Sequence, residues 1–235
     1  MPAYNAGDHL QAVVDRIPQE VFTRLDTFWI INDGSDDLTK EIIDRLVTSV
    51  PQIQTVTFSE NRGYGSAVKE GLMLCKRGES DYAVCLHADG QYPPESIIEF
   101  LEVMCEEDVD ILQGSRIASG TAISGGMPRY KVFFGKILTF CENLVFGLSL
   151  TDFHSGFIMY SRKALDTIPF TRLSSSFDID VELIASAHGR GLKVEELPIP
   201  TRYSDEESYL NPITYGFRVV RVMVRYVFGY YKTDV

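Results

Sequence analysis

Short apolar runs alternate with amphipathic stretches along this chain, and that alternation constrains the fold more than any other feature. Residues 26–32 (DTFWIIN) read as a strand, and 36–50 as a helix with apolar residues at Leu38, Ile42, Ile43, Leu46 and Val47. A second strand is expected over 53–58, then a helix over 65–76 carrying Ala67, Val68, Leu72 and Cys75. A strand over 82–86, a helix over 94–106 and a strand over 109–113 continue the series. Repeated strand-helix units at this spacing predict a mostly parallel α/β sheet flanked by helices. Ligands of such sheets bind beyond the carboxyl ends of the strands.

The amino terminus fits this pattern incompletely. Residues 2–5 (PAYN) look like the turn after a first strand and 8–17 like the helix that follows, yet no apolar strand precedes the turn. The first strand of a doubly wound sheet is usually central. The expectation is therefore a missing or truncated first strand, with a natural start upstream of Met1 by about one short strand.

At 235 residues the chain can build a substantial core. Its formal net charge of −11 argues against nonspecific nucleic-acid binding, because no excess of cations exists to displace counterions. Cys75, Cys85, Cys105 and Cys141 show no metal-ligand spacing and have apolar neighbours, as reduced core residues of a cytosolic protein do. No signal peptide opens the chain, and no uncharged run of about 18 residues is present to cross a bilayer. A soluble or surface-bound protein is expected.

Each predicted strand ends in polar, turn-forming residues: PAYN at 2–5, NDGSD at 32–36, NRGYG at 61–65 and HADGQ at 87–91. An aspartate such as Asp33 can accept hydrogen bonds from a base or ribose, and glycines such as Gly63 let backbone approach a ligand. The 33–36 turn reads equally as a helix cap. Side chains two apart on an extended segment point the same way, so His87, Asp89 and Gln91 can converge. Three oxygen or nitrogen ligands at a strand end suit a divalent cation that holds a diphosphate; the plainer alternative is a strand-ending turn with solvated polar residues. A dinucleotide fingerprint fails because Val68 stands where its third glycine belongs, and no P-loop run occurs.

In their order and spacing these turns, with Gly114-Ser115-Arg116, resemble the family 2 glycosyltransferases of the GT-A fold. Residues 152–157 (DFHSGF) resemble the SGF element of the dolichyl- or polyprenyl-phosphate sugar synthases in that family. The resemblance runs from residue 2 to about 210. It implies a single GT-A domain over 1–210, with a nucleotide-sugar half over 1–115 and an acceptor half over 116–210, followed by an amphipathic helix over 211–235. It also implies a UDP- or GDP-hexose donor contacted by Pro2, Tyr4, Asn5, Asp33 and Gly63. Mg²⁺ or Mn²⁺ on the donor diphosphate would be held by Asp89 with Gln91 and His87. His87 replaces the first aspartate of the family's DXD-type motif. A neutral imidazole there either favours Mn²⁺ or leaves His87 outside the ligand set. Ala6 stands where relatives often carry glutamate.

Breaking a sugar–phosphate bond leaves a charged diphosphate, and a phosphate acceptor needs cations to dock it, whereas a hydroxyl acceptor needs a base. Residues 116–131 form a Gly/Ser/Thr-rich loop whose only charges are Arg116, Arg129 and Lys131. These cations, with Ser155 and Arg202, are the expected acceptor-phosphate site, and Arg129 joins Asp89 and Asp152 as a candidate catalytic residue. Asp152 is open between base, orienting partner and structural cap. Asp178 and Asp180 are expected to serve the dipole of a helix over 177–188, and His9, His154 and His188 to carry no chemistry.

Two segments point to a surface. Residues 130–146 form a strongly apolar helix, and 213–231 place Arg218, Arg221 and Arg225 on an otherwise apolar helix that fits either a membrane headgroup region or a dimer partner. A strand over 193–199 and a mobile loop over 201–211 lie between the halves. The favoured function is an inverting, metal-dependent transfer of a hexose to a polyprenyl phosphate at the cytoplasmic membrane face. The alternatives are transfer to a sugar hydroxyl of a surface glycan, with Asp152, Asp178 or Asp180 as base, and an inert nucleotide-sugar binder.

Overall fold

The computed structural model describes residues 1–200 and 211–232. The chain begins with β1 (Pro2–Ala3), then α1 (Leu10–Asp15), α2 (Gln19–Arg24), β2 (Phe28–Asn32), α3 (Thr39–Ser49), β3 (Ile53–Thr57) and α4 (Tyr64–Arg77). There follow β4 (Tyr82–Cys85), α5 (Ile97–Glu106), β5 (Ile111–Ser115), α6 (Arg129–Phe146), β6 (Ile158–Ser161) and α7 (Arg162–Thr167). The last elements are α8 (Ile179–Gly189), β7 (Val194–Pro198) and α9 (Pro212–Val227).

The sheet comes in two pieces. β1, β2 and β3 pair in parallel, while the second piece runs β4-β6-β5-β7. α4 packs against β1, β2 and β4 and so spans both pieces. The amphipathic stripe of α3 explains its seat: Ile42, Ile43 and Leu46 are buried against the sheet while the opposite face stays exposed. The first strand is not absent but reduced to two residues, in register with Ile31 and Asn32. The helix expected over 8–17 is shorter, and Pro18 opens a separate α2.

β6 was not anticipated. It lies between β4 and β5, antiparallel to both, and makes the sheet mixed. Its run Phe157–Tyr160 is completely apolar because both faces are covered, so it lacks the alternation that marks a half-buried strand. The cysteines are all free, but Cys105 is exposed rather than in the core.

α9 packs on α6 and α8. Arg218 and Arg225 do not form an outward basic stripe: they pair with Asp178 (3.3 Å) and Glu182 (3.1 Å) of the α8 region. Arg221 is exposed, as is Lys136, but most of what α6 and α9 present outward is apolar, including Phe133, Phe140 and Leu144 on one and Phe217, Val224 and Val227 on the other. Among the described residues no helix is long and apolar enough to cross a membrane. The loop expected over 201–211 falls, apart from Asn211, outside the described residues. Asn211 caps α9, its Oδ1 accepting from the N–H groups of Ile213 and Thr214.

Candidate active site

A cavity of about 1560 Å³ opens over the strand ends. Pro2, Tyr4, Asn5, Asp33, Asn61 and Gly63 line one part; His87, Asp89, Gln91, Arg116, Asp152 and Asp180 line the middle. The remainder is walled by Phe134, Ile137, Leu138 and Cys141 of α6 and by Ile213, Tyr215, Val220 and Met223 of α9. One cleft therefore joins a polar floor to an apolar groove.

The polar part is built from turns that hold themselves. Asn32 Oδ1 accepts from the N–H and Oγ of Ser35, and Asn5 Oδ1 accepts from Asp36 N–H. Asn5 takes a positive φ of 47° to do so. Asp33 does not cap α3; its Oδ1 accepts from Arg62 N–H at 2.7 Å, tying the second strand-end turn to the third. Burial raises the pKa of Asp33 although those amides oppose it. Gly63 has φ of +92°, and a Cβ there would stand 2.4 Å from Ser175 O, so only glycine fits between this turn and the 174–176 segment.

Asp89 accepts from Gln91 N–H at 3.0 Å, and burial pushes its pKa upward. A carboxylate so desolvated gains from a cation. Among the described residues no group of three His, Cys, Asp or Glu side chains could hold a metal ion. His87 turns its Nε2 to Tyr64 Oη at 2.9 Å and is packed edge-on against Tyr92. Burial lowers its pKa to about 3, which keeps it neutral. Tyr64 also donates to Asp180 (3.0 Å). Burial lifts Asp180 to about 7 despite that hydrogen bond and Arg116. Asp180, expected to serve only the helix dipole, thus reaches the cavity.

Arg116 grips Asp152 with two hydrogen bonds (2.9 and 3.2 Å) and donates to His154 O (2.8 Å). Burial alone would raise Asp152; the charge and hydrogen bonds of Arg116, with His154 N–H, hold it below the usual range. With both oxygens committed, Asp152 orients Arg116 and is a poor base. His154, expected to be idle, lines the cavity, as does His9.

Two expected acceptor residues are not brought there. Arg129 is exposed at the start of α6, outside the lining, though Lys131 lies within it. Ser155 is fully buried; its Oγ has no partner and its carbonyl accepts from Gln113 Nε2 at 2.7 Å. Arg202 lies outside the described residues. Sequence reasoning missed Tyr64, Glu142 and Tyr215. Tyr64 sat inside a turn read for its glycines, while Glu142 is the one acidic residue of the apolar α6 and Tyr215 has no local signal.

Residues 1–168 match the family described as glycosyl transferase family 2. The UDP-N-acetylglucosamine–dolichyl-phosphate N-acetylglucosaminyltransferase of Methanococcus voltae is 26% identical over 217 residues, covering 87% of this chain and 85% of that protein. The dolichyl-phosphate hexose transferase of Haloferax volcanii is 27% identical over 229 residues, covering 96% and 91%. Among solved structures, glucosyl-3-phosphoglycerate synthase from Mycobacterium tuberculosis, in complex with Mn²⁺, uridine diphosphate and phosphoglyceric acid, matches with a TM-score of 0.72 at 17% identity, over 96% of this chain and 76% of that one.

Proposed function

The chain belongs to glycosyl transferase family 2, has the GT-A fold and is a glycosyltransferase, and from that premise we propose that it moves a hexose from a nucleotide diphosphate sugar to a polyprenyl phosphate with inversion. The observation that carries this reading is the cavity itself, whose polar floor at Asp33 and Asp89 is continuous with the apolar groove between α6 and α9. A soluble sugar acceptor has no use for that groove, whereas an isoprenoid chain gains about 25 cal/mol for each Å² of apolar surface it buries. The relatives named for dolichyl-phosphate substrates support the same acceptor class.

In this reading Asp33 and the turns at 2–5 and 61–65 hold the nucleoside. Asp89, with Gln91 and His87 nearby, would hold Mg²⁺ or Mn²⁺, which when bound offsets negative charge on the diphosphate. Arg116, oriented by Asp152, and Lys131 draw the acceptor phosphate to the far face of the sugar, in line with the departing diphosphate. The phosphate is ionised at neutral pH and needs no base. The outward apolar side chains of α6 and α9 flank the same groove and fit a lipid surface from which the acceptor enters.

A second reading has one observation in its favour. Asp180 lies in the cleft with its carboxyl raised to about 7, the range of a general base at neutral pH, and would suit a hydroxyl acceptor. A screen of UDP- and GDP-hexoses with Mn²⁺, a short-chain polyprenyl phosphate and the matching polyprenol separates the readings. Sugar is expected on the phosphate only, with Asp180→Asn retaining turnover within about tenfold. Transfer to a hydroxyl, with Asp180→Asn inactive, would establish the second reading. Released nucleoside diphosphate excludes an inert binder.

A further inference from the structure

Glu142 lies in α6 with no exposed surface, and among the described residues neither of its carboxyl oxygens completes a hydrogen bond. Its polar neighbour is His154: Oε2 stands 3.3 Å from Nε2, and that nitrogen also completes no bond as a donor. The other ring nitrogen, Nδ1, is 2.9 Å from Tyr215 Oη on α9. Tyr215 and His154 both line the cavity.

Counting protons orders these three groups. An ionised Glu142 in this position would be a buried charge with no counter-ion among the described residues, which favours the neutral carboxyl. Burial, reinforced by the charge of Asp152, raises it to about 9, and burial lowers His154 to about 4, so both are uncharged at neutral pH. Among the described residues the acceptor facing the Glu142 proton is Nε2. A neutral imidazole carries a single N–H, which then sits on Nδ1 and donates to Tyr215 Oη. The hydroxyl proton of Tyr215 finds no acceptor in this relay and is left to the cavity.

We propose that Glu142 and His154 are positioning residues that hold Tyr215 as a hydrogen-bond donor to the phosphate of the acceptor. The assignment rests on the polyprenyl-phosphate reading above. It supplies a neutral anion contact at the mouth of the apolar groove, where Arg116 already has Asp152 to satisfy. The groups facing the relay are Asp152 and Arg116 beside His154, and Asp180, Asp152 and Arg116 around Tyr215. As pH rises through about 9, Glu142 ionises, Nε2 becomes the donor, and the Tyr215 proton turns to Nδ1 and away from the phosphate.

Two measurements on the full chain test this. Ring-¹⁵N histidine spectra, with the His154 signals assigned by loss in His154→Gln, are expected to show the Nδ1–H tautomer at pH 7.5 in the absence of substrate (pH chosen at about one unit above the free imidazole pKa). Binding of a short-chain prenyl phosphate should weaken about ten- to a hundredfold in Tyr215→Phe, the worth of one hydrogen bond to a charged group. Glu142→Gln should keep wild-type binding, since an amide N–H replaces the acid as donor to Nε2, and should abolish the alkaline loss. Glu142→Leu, which removes the donor to Nε2, should lose the tautomer and the affinity together, with thermal melting to check that the fold is kept. An Nε2–H tautomer in the wild type, or wild-type affinity in Tyr215→Phe, overturns the relay while leaving the acceptor reading intact. A wild type that binds no prenyl phosphate overturns the acceptor reading, and Tyr215's role with it, whatever the spectra show.

Discussion

The two sides of the cleft are held by different means. On the side proposed for the donor, side chains bond to backbone amides a few residues away or in the adjoining turn: Asn32 to Ser35, Asp89 to Gln91, Asp33 to Arg62. On the side proposed for the acceptor, ionisable side chains meet across long stretches of chain, Arg116 with Asp152, Tyr64 with Asp180 and His154 with Tyr215. The first arrangement is modular, so a change in one turn should be felt at one contact. The second is a network in which removing one partner strands another in low dielectric, and its members should not behave additively.

The largest effect expected is on the modular side. Asp89→Ala should lower kcat/KM by a hundredfold or more and abolish Mn²⁺-dependent nucleotide binding by calorimetry, with the melting temperature unchanged or slightly raised. An active variant would remove the reason for assigning the donor diphosphate to this turn. Arg116→Ala should cost stability as well as acceptor binding. Asp152 is 3% exposed and would be left as an uncompensated buried carboxylate, so about 3–5 kcal/mol of stability should be lost in urea unfolding. The double variant with Asp152→Asn should recover much of that loss. Equal losses for single and double variants would mean that the two residues do not act as one unit.

A smaller effect sharpens the network by its sign. The folded-state pKa of Glu142, about 9, is above its ordinary 4.5. The unfolded chain therefore releases that proton first, and the stability linked to it is full below about 4.5 and declines as pH rises toward 9. His154, lowered to about 4 from 6.5, acts oppositely, but only below 6.5. Between pH 7 and 9 the Glu142 contribution is the one of these two that changes. Glu142→Gln should flatten thermal stability over that window and gain about 1–3 kcal/mol at its upper end. A variant that falls with pH as the wild type does would place the acid in a wetter site than the buried, unpartnered one.

This contrast also explains what could be read from the sequence. Strand-helix alternation and turn residues are local signals, and β2, β3, β4 and the turns at 33, 61 and 89 follow from them. β6 escaped because a strand covered on both faces has no period, and its four residues run directly into α7. On the acceptor side the spacing in sequence carries no information on contact. Arg129 and Arg116 look equivalent in a basic loop, yet Arg129 at the start of α6 is left in solvent while Arg116 is drawn inward by a carboxylate 36 residues away. The same loss of local signal hid Tyr215, whose partner is 61 residues distant.

The smallest effect expected concerns the SGF element, where both modes meet. Ser155 Oγ is buried without a partner, so Ser155→Ala should change stability by no more than about 1 kcal/mol and leave the acceptor KM unchanged. Gly156 is the residue of that element under constraint. A Cβ there would lie 2.5 Å from His87 Nε2 and 2.6 Å from Tyr64 Oη, and Gly156 N–H donates to Tyr92 Oη. The motif thus acts through its backbone, bringing the start of β6 against the His87–Tyr64 pair, while the serine carbonyl takes the Gln113 amide. A tenfold rise in acceptor KM for Ser155→Ala would instead put the hydroxyl on the substrate, and the acceptor side would then owe part of its recognition to a local motif after all.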